Sequence, residues 1–162
     1  MKKVVIFGNS GSGKSTLARH YHEQAGLPHL DLDTIAWLPA TPPARKAIAD
    51  SKADIDRFMA EHASWVIEGC YSDLLELVIQ EASEIVFLDL PIERCIANAK
   101  NRPWESHKYE SKAAQDANLD MLLEWITQYP NRNDTFSRSS HKALYENYDG
   151  KKSVHTCNVS LG

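Results

Sequence analysis

Apolar positions along the chain fall into short continuous runs separated by longer amphipathic stretches. Val4-Val5-Ile6-Phe7, Trp65-Val66-Ile67 and Ile85-Val86-Phe87-Leu88 are unbroken and rich in β-branched or aromatic residues. That is the pattern of strands buried on both faces. It predicts strands over Lys3–Phe7, Trp65–Glu68 and Ile85–Leu88, with a short one opening Pro28–Asp33 and a last one over Ser153–Cys157. Between them the period lengthens to that of helices. Helices are predicted over Lys14–Gln24, stopped by Gly26, and over Lys46–His62, with Ile48, Ile55, Phe58, Met59 and His62 on one side. Ser72 is the expected cap of a third helix, carrying Leu74, Leu77 and Val78. Pro91 opens a fourth, carrying Ile92, Cys95, Ile96 and Ala99 and ending near Arg102-Pro103. Leu119, Leu122, Leu123 and Ile126 mark a fifth, stopped by Tyr129-Pro130; Phe136, Ala143, Leu144 and Tyr148 mark a sixth, closed by Gly150. Trp37–Pro43 is a proline-rich turn, and Trp104–Ala114 is polar and aperiodic, hence a loop or flap. Trp65 and Trp125 fall in apolar patterns and are expected in the core.

Strands alternating with helices imply a parallel sheet covered on both faces, with right-handed crossovers. Ligands in such sheets bind outside the carboxyl ends of the strands. Four polar clusters fall at those predicted ends: the loop from Gly8, the pair Asp31 and Asp33, Glu68-Gly69, and Asp89.

Composition narrows the class. The chain has 162 residues, 43% apolar and 25% charged, as expected for one soluble globular domain. No apolar run reaches the length of a membrane span, and the chain enters its first strand at once, so neither anchor nor leader is expected. The three cysteines are far apart, which fits a cytoplasmic protein better than a disulfide framework or a zinc site. A net charge of −4 without a basic block makes nucleic acid an unlikely partner. The seven histidines show no metal-ligand spacing and are expected to be structural or exposed.

The chemistry concentrates at Gly8–Thr16, GNSGSGKST, which contains G-x-x-x-x-G-K-[ST] between a predicted strand and a predicted helix. A folded-back loop aims successive N–H groups at an anion, and the helix start adds its positive end. Gly8, Asn9, Ser10, Gly11, Ser12, Gly13, Lys14, Ser15 and Thr16 are therefore the candidate nucleotide-binding residues. Lys14 would reach the β- and γ-phosphates, and Ser15 would hold Mg²⁺ through its hydroxyl. Phosphoryl transfer also needs an acceptor site and cations for the transferring group. Asp33 is the candidate to accept the acceptor's proton; Asp31 is a candidate metal ligand; Glu68 could orient the acceptor or a metal-bound water. Asp89 reads as a helix cap. Arg102, beside the polar flap, and Arg132 are the candidates to meet the phosphoryl charge, ahead of Arg138 and Arg94. Trp37 is placed either to stack on a ring of the acceptor or to pack on the sheet.

Taken together, GNSGSGKSTLA, HLDLDTIAWLP, WVIEGCYS and IVFLDLP resemble the bacterial topology-modulation group of P-loop kinases, which is similar in fold to adenylate kinase and shikimate kinase. The likeness covers about residues 1–100, and more thinly reaches Arg132. It implies an α/β, three-layer α-β-α fold with a five-stranded parallel sheet of order 2-3-1-4-5. It also implies acceptor-binding helices inserted at about 37–63 and a short lid at about 102–115, all within a single domain, 1–162. The D-x-D of shikimate kinase, which serves magnesium and the acceptor, falls on Asp31 and Asp33. Glu68 stands where the group usually has Asp, and Cys70 where it often has Asn. The expected activity is transfer of the γ-phosphate of Mg-ATP to a nucleoside monophosphate or a hydroxylated metabolite. The alternative is a nucleotide-dependent regulatory ATPase or switch without a metabolic acceptor.

Overall fold

The computed structural model describes residues 1–161. Five strands form one sheet: β1 (Lys3–Gly8), β2 (His29–Asp31), β5 (Trp65–Gly69), β6 (Glu84–Leu88) and β7 (Lys151–His155). All neighbours are parallel, and the spatial order is β2-β5-β1-β6-β7. Counted among these five alone, that is 2-3-1-4-5. The two remaining strands, β3 (Trp37–Leu38) and β4 (Ala44–Arg45), pair antiparallel as a small ribbon. They flank the proline-rich turn, which contains a cis Thr41–Pro42 peptide.

Period-two alternation divides the central strand between two cores. Val5 and Phe7 point to one face, where they meet Ile55 of α2 (Ile48–Glu61), Leu74 and Val78 of α3 (Ser72–Ile79) and Leu144 of α7 (Arg138–Asn147). Val4 and Ile6 point to the other, where Leu17 of α1 (Lys14–Ala25), Cys95 of α4 (Ile92–Lys100) and Ile126 of α6 (Leu119–Thr127) cover them. Val4, Val5, Ile6 and Phe7 are wholly buried, each contributing about 1.5–3 kcal/mol of apolar burial.

Several local expectations shift. Ser72 does not cap α3: Tyr71 occupies that position without a side-chain cap, and the Ser72 hydroxyl donates to the Thr135 carbonyl at 2.7 Å. Ile48 is exposed at the start of α2, and Ser51 takes the buried place, donating to the Ile35 carbonyl. The final strand lies two residues earlier than the apolar pattern suggests, over Lys151–His155. Within the polar stretch 104–114, helix α5 (Lys112–Ala117) has already begun, capped by Ser111. Trp125 is half-buried and serves as a platform for Arg132, whereas Trp65 is fully buried.

Candidate functional site

The loop between β1 and α1 favours glycine at two points, for lack of space at one and for backbone conformation at both. Gly11 has φ +77°, and a Cβ there would fall on the Cys95 carbonyl oxygen in the first turn of α4. Gly13, the residue before α1, has φ +92°. Both conformations lie in the left-handed region, which side chains disfavour. Residues 10–16 line a cavity of about 410 Å³ at the carboxyl end of the sheet. Gly8 and Asn9 sit behind that wall: Asn9 is buried and its amide donates to the Ile126 carbonyl at 3.2 Å, anchoring the loop to α6. Lys14 Nζ lies 2.7 Å from the Asn9 carbonyl oxygen. The Ser12 hydroxyl is buried against this loop with no hydrogen-bond partner in the protein.

The ends of β2 and β5 face this loop. Ser15 donates its hydroxyl to Glu68 Oε2 at 2.7 Å. Glu68 is buried, and His29 Nε2 stands 3.1 Å from the same oxygen. Sheet register explains the neighbours, since Ile6 and Asp31 flank Glu68 on adjacent strands. Gly69, next along β5, leaves room for Leu32, whose side chain would lie 2.9 Å from a Cβ there. That close approach seats the turn carrying Asp31 and Asp33 against the end of β5.

The two aspartates have different surroundings. Asp33 lines the cavity; Tyr71 donates to one of its oxygens, and Lys108 Nζ lies 2.8 Å from the other. Tyr71 is in turn the acceptor for the Trp37 indole N–H at 2.8 Å. Burial alone would raise the Asp33 carboxyl, but the Lys108 ammonium and the two hydrogen bonds outweigh it and hold the group below its usual range. Burial, with Glu68 and Asp33 adding like charge, pushes Asp31 the other way, above its usual range. Asp31 is not among the cavity-lining residues. One of its oxygens accepts from the Asp33 N–H; the other has no hydrogen bond but faces Lys108 Nζ at 3.3 Å and His107 Nε2 at 3.6 Å. Burial opposes the charge on Lys108, but Asp33 and Asp31 prevail and keep its proton more firmly held than in a free lysine. Glu68, rather than Asp31, is therefore the carboxylate beside Ser15.

The candidate arginines separate in the same way. Arg102 lines the cavity and pairs with Glu105 at 3.1 Å. Arg132 lies elsewhere: its guanidinium stacks 3.4 Å from the Trp125 ring centroid and donates to Gln128 at 2.9 Å. Asp89 does not cap α4, where Pro91 holds that position; it receives a two-pronged contact from Arg138 at 2.9 and 2.7 Å. Trp37 is partly exposed, its indole held edge-on to Tyr71.

Sequence reasoning passed over Lys108, Tyr71, His29 and His141. Lys108 and His107 belong to an aperiodic polar run, and nothing in such a run marks which cation turns inward. His141 is fully buried, bonded to the Tyr129 hydroxyl at 2.7 Å and the Cys70 carbonyl at 2.8 Å, and its burial pulls it down to about 4. As a neutral ring it donates from Nε2 to that carbonyl and accepts the tyrosine proton at Nδ1. It thus braces the turn that follows Glu68 and Gly69.

Three solved structures superpose on this arrangement over 99% of the chain, each at 16% sequence identity. They are a sugar kinase from Janibacter sp. HTCC2649 (TM-score 0.55, 88% of that chain), shikimate kinase from Acinetobacter baumannii bound to shikimate (0.53, 86%), and TT1252 from Thermus thermophilus (0.54, 90%). The fold is that of the P-loop kinases. In sequence, the Bacillus subtilis (strain 168) protein YqaC, itself uncharacterized, is 24% identical over 144 residues, 87% of this chain and 80% of its own length. No protein-family model matches the chain. Among the described residues, no helix is long and apolar enough to cross a membrane, and no group of three or more His, Cys, Asp or Glu is arranged to hold a metal.

Proposed function

We propose that the protein is a phosphotransferase that moves the γ-phosphoryl group of Mg-ATP to a small acceptor. The observation that carries this reading is the convergence of Lys14, Ser15, Asp33 and Glu68 on one cavity behind a P-loop. The loop from Ser10 to Thr16 holds the phosphate tail, with Lys14 exchanging its contact with the Asn9 carbonyl for phosphate oxygen. The base lies toward the end of α4 and the last segment of the chain, where Asn98, Asn101 and Val159 line the same cavity.

Magnesium suits the donors present. Ser15 and Glu68 are hard oxygen ligands side by side, and a site with few protein carboxylates matches an ion that keeps water and phosphate in its shell. These two residues, with Asp33 nearby, would hold it; Asp31 instead supplies charge to Lys108. The ion would neutralise charge on the β- and γ-phosphates.

For a hydroxylated acceptor, Asp33 orients the hydroxyl and takes its proton as the oxygen bonds to the γ-phosphorus; the phosphate oxygen of a monophosphate would attack without that proton transfer. The bond from that phosphorus to the bridging oxygen breaks, and its electron pair leaves on ADP. Its neighbours keep Asp33 ionised, and withdrawal of Lys108 would raise its basicity toward the acceptor proton. Arg102 is the cation placed to meet charge on the transferring group from the cavity wall. The segment at about 37–63 forms the acceptor side and that at about 102–115 a short lid, within one domain that includes all the elements above. The acceptor is a nucleoside monophosphate or a hydroxylated metabolite, the protein works in the cytoplasm, and its acidic balance does not suit nucleic acid.

The test is acceptor-dependent ADP release, screened over nucleoside monophosphates and small polyols with wild type and Asp33→Asn. The reading requires an acceptor that accelerates release, and a loss in Asp33→Asn that falls on turnover much more than on ATP affinity. Slow hydrolysis with every acceptor would replace it with the regulatory-switch reading.

A further inference from the structure

The segment between Arg102 and Ser111 is held to the rest of the molecule in an uneven way. Most of its polar contacts stay local. Trp104 Nε1 donates to the Tyr109 carbonyl, Gln115 of α5 bridges the Glu105 N–H and the Pro103 carbonyl, and Asn118 donates to the Tyr109 hydroxyl. Contact with the β2 end runs through two adjacent residues. Lys108 Nζ lies 2.8 Å from Asp33 and 3.3 Å from Asp31, and His107 Nε2 lies 3.6 Å from Asp31. Glu105, from the segment itself, adds a third carboxylate 3.5 Å from the same ammonium. Asp31 and Glu105 are both more than nine-tenths buried, and each has an oxygen without a hydrogen bond. Lys108 is thus the cation shared by three carboxylates from two sides of the cavity.

We propose that Lys108 is a positioning residue that latches the 102–111 segment onto Asp33, so that the acceptor hydroxyl and Lys108 compete for the same carboxylate oxygen. Tyr71 occupies one oxygen of Asp33 and Lys108 the other. Each oxygen already carries one partner, so an incoming hydroxyl has to share an oxygen with Tyr71 or Lys108 or displace one of them. The latch releases when Lys108 leaves the two aspartates, and the remaining polar contact of the segment with the β2 end is then His107 to Asp31 at 3.6 Å. The latch itself is a feature of the unliganded chain; only its meaning as competition with an acceptor rests on the function proposed above.

Hydrogen–deuterium exchange of the full chain without nucleotide tests it. The N–H groups of Lys108 and Tyr109 bond to the Glu105 carbonyl at 2.9 and 3.0 Å, so peptides over 102–111 report opening. Lys108→Met should speed their exchange about tenfold or more, the scale of losing a charged hydrogen bond. An Asp31→Asn/Asp33→Asn variant, which removes the other side of the contact, should do the same, and adding Lys108→Met to it should change nothing further. Peptides from β1, β5 and α3 should keep wild-type exchange, showing an intact fold. Lys14→Ala should leave 102–111 as protected as wild type even where it abolishes turnover, which separates failure of the latch from failure of the kinase reading. Unchanged exchange in Lys108→Met, or effects that add in the combined variant, would overturn the proposal.

Discussion

The two sides of the cavity are built on opposite plans. The proposed phosphate side is nearly contiguous: residues 10–16, from one strand–loop–helix unit, line it. The proposed acceptor side is assembled from single side chains on four separate segments: Asp31 at the end of β2 with Asp33 just after it, Trp37 on the ribbon, Tyr71 before α3, and Glu105 and Lys108 between α4 and α5; Asp33, Glu105 and Lys108 line the cavity and the others stand behind them. A site made from one loop tolerates little movement within that loop. A site made from side chains spreads its geometry over many contacts, so individual losses there should be smaller.

The sharpest way to break this contrast is Lys14→Ala. Removing the one cation built into the loop should cost about 10²- to 10³-fold or more in phosphoryl transfer, read as ADP release, while circular dichroism shows an unchanged fold. An unfolded variant would mean that Lys14 holds the loop together and that the two sides do not differ as described.

Acidification probes the brace beneath both sides. The neutral His141 ring is held near 4 against an ordinary value of 6.5, so the unfolded chain binds its proton first. Stability from this group is complete above about pH 6.5 and is lost as the pH falls toward 4. The loss should be about 2 kcal/mol, measured by urea unfolding at pH 7 and pH 4.5. His141→Phe should lower stability at pH 7 by leaving the Cys70 carbonyl and the Tyr129 hydroxyl unpaired, and should flatten this part of the pH dependence.

On the acceptor side, Tyr71→Phe removes one of the two groups on Asp33 and leaves the Trp37 indole without its acceptor. Turnover should fall about tenfold with little change in ATP affinity, since a hydrogen bond to a charged group is worth about 1.5–3 kcal/mol and Lys108 remains. A loss as large as that of Lys14→Ala would show that this side is no more tolerant than the loop. The smallest effect is expected from Arg132→Gln. Its guanidinium lies on Trp125, away from the cavity, so turnover should hardly change and stability should fall by about 1 kcal/mol or less. A strong fall in turnover would bring Arg132 back to the site by a movement of the segment that carries it.

How far each side could be read from the chain follows from the same contrast. The loop announces itself because its glycines, lysine and serine are neighbours in sequence and its strand and helix have clear periods. Glu68 and Asp33 are legible as polar residues at strand ends, but not their partners, because nothing local ties Ser15 to a carboxylate 53 positions away. Arg132 and Arg138 look alike in sequence, each near a helix start; one lies on an indole and the other on Asp89.

Sequence by itself determined the alternation of strands and helices, the division of β1 between two cores and the position of the phosphate loop. These depend on period and on backbone conformation, which are local properties. Only the tertiary structure decided that Glu68 rather than Asp31 faces Ser15, that Lys108 turns inward onto Asp33, and that His141 is a buried brace. Each of those depends on which side chains the sheet register and helix packing bring within a few ångströms, and charge pairing acts through space rather than along the chain.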